Sequence, residues 1–139
     1  MAKQAPRRPM TLMVISPEAD RIHMALMTAA TAAAMGQPTT FFFSKAAAKF
    51  LTSEGWEQLQ TSEGVSAAEM DAALDAAGVA DKALLMDGLA ALNVRFVVCE
   101  SALREHNIDA AEIITRPAVE ISGLADIIEK GTGGDWLTF

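Results

Sequence analysis

The sequence is poor in residues that bind metals or form cross-links. It has one cysteine, two histidines and no tyrosine in 139 residues. A single cysteine cannot form a disulfide within the chain, so the composition predicts a protein of the reducing cytoplasm. The histidines, His23 and His106, are isolated, and no cysteine–histidine group has the spacing of a metal site. We therefore expect neither a metal centre nor a disulfide framework.

Positive charge and long apolar runs are also scarce. The net charge of −7 argues against a nucleic-acid-binding face, because phosphate contacts need clustered lysines and arginines. No apolar run approaches the ~20 residues of a membrane-spanning helix. The first ten residues contain the basic stretch KQAPRRP, with too few apolar residues after it for a secretory signal. We interpret residues 1–10 as a flexible tail and residues 11–139 as a single domain.

Short apolar segments alternate with segments of helical spacing along the remainder of the chain. TLMVIS, PTTFFFS and VRFVVC are typical of buried strands, and AVEI and DWLTF predict two further strands. Helices are predicted between them, including one capped by Ser66 and Glu69 and one, ALREH, capped by Ser101. This alternation predicts a doubly wound α/β domain with a mostly parallel five-stranded sheet and helices on both faces.

The expected strand order places the cysteine at a ligand-binding edge. The commonest five-stranded, flavodoxin-like order is 2-1-3-4-5, in which ligands bind at the carboxyl edge between strands one and three. Cys99 ends the third strand, and Ser16, Ser44 and Lys45 end or follow the first two. These residues are therefore predicted to share one edge of the sheet.

A thiol in this position is suited to nucleophilic chemistry. The N–H groups of the following helix, whose N-cap we predict to be Ser101, stabilise a thiolate, and Lys45 would add positive charge although Glu100 opposes it. Arg104 follows on the same helix, where it would contact an acidic partner or orient a bound thiol, or else belong to a solvated helix face. Free cysteine is also a frequent core residue, so a packed, inert Cys99 stays open as an alternative.

Nucleotide or flavin binding is disfavoured by the loop after the first strand. The loop Ser16–Asp20 contains no glycine and two acidic residues. Such a loop is a poor cradle for phosphate, which favours backbone N–H groups and positive charge.

Several segments together resemble the DsrE/DsrF-like family of small sulfur-relay proteins, especially its peroxiredoxin-like DsrE members. In the second half these segments are VVCESALREHNI, IITRPAVEISGLADIIEKG and the closing DWLTF. In the first half, DRIHMALMTAATAAAMGQPTTFFFS is similar to the family's first helix and second strand. The resemblance spans residues 11–139 and is weakest over residues 56–81, where the chain lacks a second cysteine.

The resemblance implies a role for Cys99 as carrier of a sulfane sulfur. It implies transfer of persulfide sulfur between partner proteins, such as a TusA-like carrier or a rhodanese-like donor, by a homo-oligomer that needs no cofactor. We therefore predict a sulfur carrier or sulfurtransferase subunit. The alternative is a non-catalytic oligomeric binding or scaffold module of the same fold, in which the cysteine is only packed.

Overall fold

The computed structural model describes residues 7–139, in which five strands form one sheet. Every neighbouring pair of strands is parallel. The sheet has the order β4-β3-β2-β1-β5. The α/β class and the five-stranded parallel sheet predicted from the sequence are confirmed. The strands are β1 (Met10–Val14), β2 (Thr39–Phe43), β3 (Arg95–Cys99), β4 (Val119–Ser122) and β5 (Asp135–Thr138).

The predicted strand order 2-1-3-4-5 is wrong, because β2 and not β1 lies beside β3. The reason lies in the composition of β2. Its residues Phe41, Phe42 and Phe43 are all fully buried, on both faces of the strand. Only a strand in the middle of a sheet covered on both faces buries three consecutive large side chains. The order 2-1-3-4-5 would leave β2 at an exposed edge.

Within residues 7–139, five α-helices connect and cover the strands. The predicted cap at Ser66 is confirmed, because its side chain accepts a hydrogen bond from the Glu69 N–H. The segment after β2 forms a 3-10 helix, Lys45–Leu51. The α-helices are α1 (Ala19–Ala34), α2 (Ala67–Ala76), α3 (Lys82–Ala91), α4 (Glu100–Glu105) and α5 (Leu124–Lys130).

An aromatic cluster fixes the segment after β2 against the sheet. The Phe43 ring stacks on Phe50 with centroids 5.3 Å apart, and Phe50 meets Trp56 edge to face at 5.6 Å. The Trp56 indole N–H donates to the Asp71 carboxylate at 2.7 Å, which ties the segment to α2. Aromatic pairs in these arrangements add to the free energy gained by burial. The chain that follows Ser44 is therefore held firmly beside the carboxyl edge of β3.

Part of the predicted N-terminal tail is ordered against the sheet. The strand β1 begins at Met10, and the Asp135 N–H donates to the Pro9 carbonyl at 2.8 Å. The Arg8 guanidinium also pairs with the Asp135 carboxylate at 2.6 Å. The rest of the predicted tail, residues 1–6, lies outside the described residues. Within residues 7–139, no helix is long and apolar enough to cross a membrane.

Candidate functional site

The strand register places Cys99 between two serines at the carboxyl edge of the sheet. Phe43 is paired with Val98, so Ser44, the next residue, lies beside Cys99. On the other side, Cys99 is itself paired with Ser122 of β4. The thiol is therefore flanked by the ends of both neighbouring strands.

The helix after the cysteine begins without a connecting residue. Cys99 has extended backbone angles (φ −68°, ψ 124°) and is the N-cap of α4, which starts at Glu100. The prediction that Ser101 is the N-cap is therefore wrong, because β3 leads directly into the helix and leaves Ser101 in its first turn. In that position the N–H groups of Ser101 and Ala102 have no partner one turn earlier in the helix. They are free to face the sulfur.

Polar groups around the sulfur favour its anionic form. Burial alone would raise the pKa of the Cys99 thiol, because it removes the charged form from water. Hydrogen bonds from the Ser44 hydroxyl, from the Ala102 and Ser101 N–H groups and from the Ser101 hydroxyl act in the opposite direction. Together they hold the pKa of the thiol below its ordinary value. A lowered pKa is the property that makes a cysteine a nucleophile near neutral pH.

Cys99 is also buried, with 4 % of its surface exposed. Burial is typical of a packed, inert cysteine, whereas surrounding hydrogen-bond donors are typical of a reactive one. Cys99 therefore has one feature of each alternative that the sequence left open. Donors add nothing to the packing of a small apolar side chain. The arrangement can stabilise a thiolate, and a local opening is needed for a reactant to meet the sulfur.

The other predicted site residues are distributed around this edge. Lys45, in the left-handed region at φ 52°, directs its ammonium to Glu105 at 3.1 Å. Arg104 is exposed in the last turn of α4. Ser16 follows β1, two strands away from β3, and its hydroxyl accepts from the Glu18 N–H at 3.2 Å. The structure thus places Ser44 and Ser101 next to the sulfur. Ser16 lies one strand further from Cys99 than Ser44 does.

Ser122 is a neighbour of Cys99 that sequence reasoning missed. Its hydroxyl donates to the Asp126 carboxylate at 3.1 Å at the start of α5. The signal that identifies it is the pairing of β3 with β4, which depends on the strand order. Among residues 7–139, no group of three histidine, cysteine or carboxylate side chains is placed to hold a metal ion.

Two solved structures with the same fold come from distant microorganisms. A Methanobacterium thermoautotrophicum protein of unknown function, MTH1491, matches with a TM-score of 0.64 and 13 % identity, over 95 % of this chain and 99 % of the other. The ychN protein of E. coli matches with a TM-score of 0.63 and 14 % identity, over the same shares of the two chains. At these identities the likeness concerns the fold.

Sequence comparison identifies the family. No curated protein matches the chain. The model of the DsrE/DsrF-like family matches residues 10–139, which include all five strands and the Cys99 edge. The resemblance predicted from the sequence is confirmed: this chain belongs to the DsrE/DsrF-like family.

Proposed function

We propose that this protein is a sulfur carrier that holds a persulfide on Cys99. Membership of the DsrE/DsrF-like family supports a function related to sulfur relay. The observation that carries the proposal is the position of Cys99 at the carboxyl edge of the sheet, beside Ser44 and at the N-cap of α4, where hydroxyl and N–H groups hold the pKa of the thiol below its ordinary value. They stabilise the anion that must form before the sulfur can attack.

The reaction balances without a cofactor. The Cys99 thiolate attacks the outer sulfur of a donor persulfide, R–S–SH. A bond forms between Sγ and that sulfur, and the donor's S–S bond breaks to release R–S⁻. Cys99 becomes Cys–S–SH while the donor is reduced to a thiol. An acceptor thiolate then repeats the attack on the outer sulfur and restores Cys99.

Burial of the sulfur limits which conformation reacts. Because Cys99 is 4 % exposed, each exchange requires the chain around the Ser44–Lys45 step or the start of α4 to open. The ion pair between Lys45 and Glu105 links these two segments at the surface. Exposed ion pairs of this kind contribute only about 0–1 kcal/mol, so this pair adds little to the free energy needed for opening. We propose that docking of the partner protein opens these segments and exposes the sulfur.

We further propose that the protein works in the cytoplasm as a homo-oligomer with TusA-like or rhodanese-like partners. Support for an oligomer comes from the exposed apolar side chains Leu124, Ile128 and Trp136, of which Ile128 is 58 % exposed. Leu124 and Ile128 lie one helical turn apart on α5, and apolar side chains grouped on one exposed helix face are typical of interfaces. Size-exclusion chromatography of a cytoplasmic extract, with identification of co-eluting thiol proteins, tests this assignment. Elution as a monomer would contradict it.

The test of the carrier function is mass analysis after exposure to a sulfane sulfur donor. Incubation with polysulfide should add the mass of one sulfur atom to the intact protein, and dithiothreitol should remove it. Cys99→Ser should gain nothing. Ser122→Ala, which removes a hydroxyl bound to Asp126, is the matched control and should load normally. If the folded wild-type protein gains no sulfur, Cys99 is a packed residue and the scaffold alternative holds.

A further inference from the structure

A polar cleft lies at the C-terminal end of α4, the end remote from Cys99. It has a volume of about 400 Å³ and is formed by residues 49–58 on one side and 106–112 on the other. Cys99 caps the first turn of α4, and His106 follows its last residue at the cleft. A helix of this length spans about 9 Å, so the cleft is separate from the thiol.

Backbone hydrogen bonds fix the two walls of the cleft to each other. The Ser53 N–H donates to the Glu112 carbonyl at 3.0 Å, and the Ile114 N–H donates to the Leu51 carbonyl at 2.8 Å. Thr52 and Ile113 form an isolated antiparallel bridge between these bonds. The walls are therefore held in place before any ligand arrives, as in most small-molecule sites.

The cleft is lined by side chains of opposite charge that do not form ion pairs with one another. Lys49 stands on one wall, Glu54 lies beyond it on the same segment, and Glu112 stands on the facing wall. Across the described residues 7–139, none of the three takes part in an ion pair, whereas Lys45 and Lys130 pair with carboxylates at 3.1 and 3.0 Å. The cleft thus keeps an ammonium group and two carboxylates apart.

Neutral polar groups complete the lining. The side chains of Gln58 and Asn107 face the same space. The Nε2 atom of His106 is buried and has no hydrogen-bond partner among the described residues. The nearest carboxylate oxygen, Oε1 of Glu105, is 3.6 Å away, which is too long for a hydrogen bond. His106 also borders the cleft, and a buried polar atom without a partner is rare in folded proteins.

We propose that this cleft binds a small zwitterion, an amino-acid derivative or short peptide that carries both an ammonium and a carboxylate group. Lys49 would bind the carboxylate, and Glu54 and Glu112 would bind the ammonium, each through charge-assisted hydrogen bonds. Gln58 and Asn107 match the donors and acceptors of a peptide amide. The volume lies within the range of pockets that enclose small ligands.

The test uses S-methylglutathione, a zwitterionic peptide whose blocked sulfur cannot react with Cys99. Titration followed by ¹⁵N–¹H NMR should give saturable shifts at residues 49–58 and 106–112. Lys49→Gln and Glu112→Gln should each weaken binding about ten-fold, the loss expected for one charge-assisted hydrogen bond. The exposed residues Glu129 and Lys130 of α5 provide matched controls, and Glu129→Gln and Lys130→Gln should bind as the wild type does.

Three results would overturn the proposal: no saturable shifts, shifts confined to other surfaces, or wild-type affinity in both Lys49→Gln and Glu112→Gln. The N-acetylated probe lacks the ammonium and should bind the wild type about ten-fold more weakly. Cys99→Ser should bind the probe normally. A protein that binds the probe but fails to load sulfur would refute the carrier function alone.

Discussion

At the scale of single residues, the site depends on which groups reach one sulfur atom. Ser44 lies beside Cys99 because β2 is paired with β3, and Ser101 faces the sulfur because α4 begins immediately after it. The sequence predicted both residues near this edge, Ser44 from the end of its strand and Ser101 from the start of its helix. Their effect on the thiol arises from position: short donors at the end of a buried strand, against a sulfur with 4 % exposure.

Removal of the Ser44 hydroxyl should make the thiol less acidic. Among the groups that stabilise the Cys99 anion, the Ser44 side chain has the largest effect, and only burial, which opposes the anion, outweighs it. Hydrogen bonds to a charged group stabilise it, so Ser44→Ala should raise the pKa of Cys99 and slow the reaction of the thiol near neutral pH. The rate of alkylation by iodoacetamide, measured against pH, gives this value directly.

Ser122→Ala is the matched control for that measurement. Ser122 also neighbours Cys99, but its hydroxyl donates to Asp126. Its removal should leave the alkylation midpoint unchanged. An unchanged midpoint in Ser44→Ala would show instead that the groups at the start of α4, and not the Ser44 hydroxyl, set the acidity of the thiol.

At the scale of elements, an ion network joins the edge strand to the sheet and to α5. The Arg95 guanidinium of β3 binds the Glu120 carboxylate of β4, and it also binds Asp126 of α5 at 3.0 Å. Lys130 reaches the same Asp126 carboxylate at 3.0 Å, one helical turn away. Asp126 in turn accepts a hydrogen bond from Ser122, so the network also includes the end of β4.

This network predicts a loss of stability in acid. Hydrogen bonds from Arg95 and then from Lys130 lower the pKa of Asp126 from 3.8 to about 2. A depressed pKa means that the carboxylate stabilises the fold above pH 3.8 and that this contribution is lost as the pH falls towards 2. Asp126→Asn should therefore lose less stability than the wild type across this interval. Urea unfolding at a series of pH values measures the difference.

The control for the acid experiment is Asp75→Asn, a change of the same chemistry at an exposed site on α2. Its profile of unfolding free energy against pH should run parallel to that of the wild type. If Asp126→Asn also runs parallel between pH 4 and 2, the network does not stabilise the native state more than the unfolded one.

At the scale of the whole molecule, the elements could be predicted and their arrangement could not. Apolar runs and helical spacing located all five strands, because burial of one strand is a local property. Strand order is a property of the whole sheet, and the sequence evidence for it was the run Phe41–Phe43, whose burial on both faces requires a central strand. The same limit explains the missed neighbour Ser122, since its position depends on which strands pair.

Cys99 lies at the carboxyl edge of the sheet in both the predicted and the observed strand order, for a physical reason. Carboxyl ends of parallel strands lie at the same edge whatever their order, so a residue that ends any strand stays at that edge. The strand order decides which residues lie next to Cys99. The observed order places Ser44 beside the sulfur, where the predicted order would place Ser16. Helix caps are similarly sensitive to a shift of two residues, which moved the cap of α4 from Ser101 to Cys99.

The central claim is that the molecule accepts a sulfur atom on Cys99 and passes it on. The most direct measurement is a single-turnover transfer: the persulfidated protein is freed of donor and mixed with a TusA-like acceptor, and the intact masses of both are followed in time. This chain should lose the mass of one sulfur atom at the rate at which the acceptor gains it. Retention of sulfur by this chain, or its release as free sulfide without gain by the acceptor, would contradict the account.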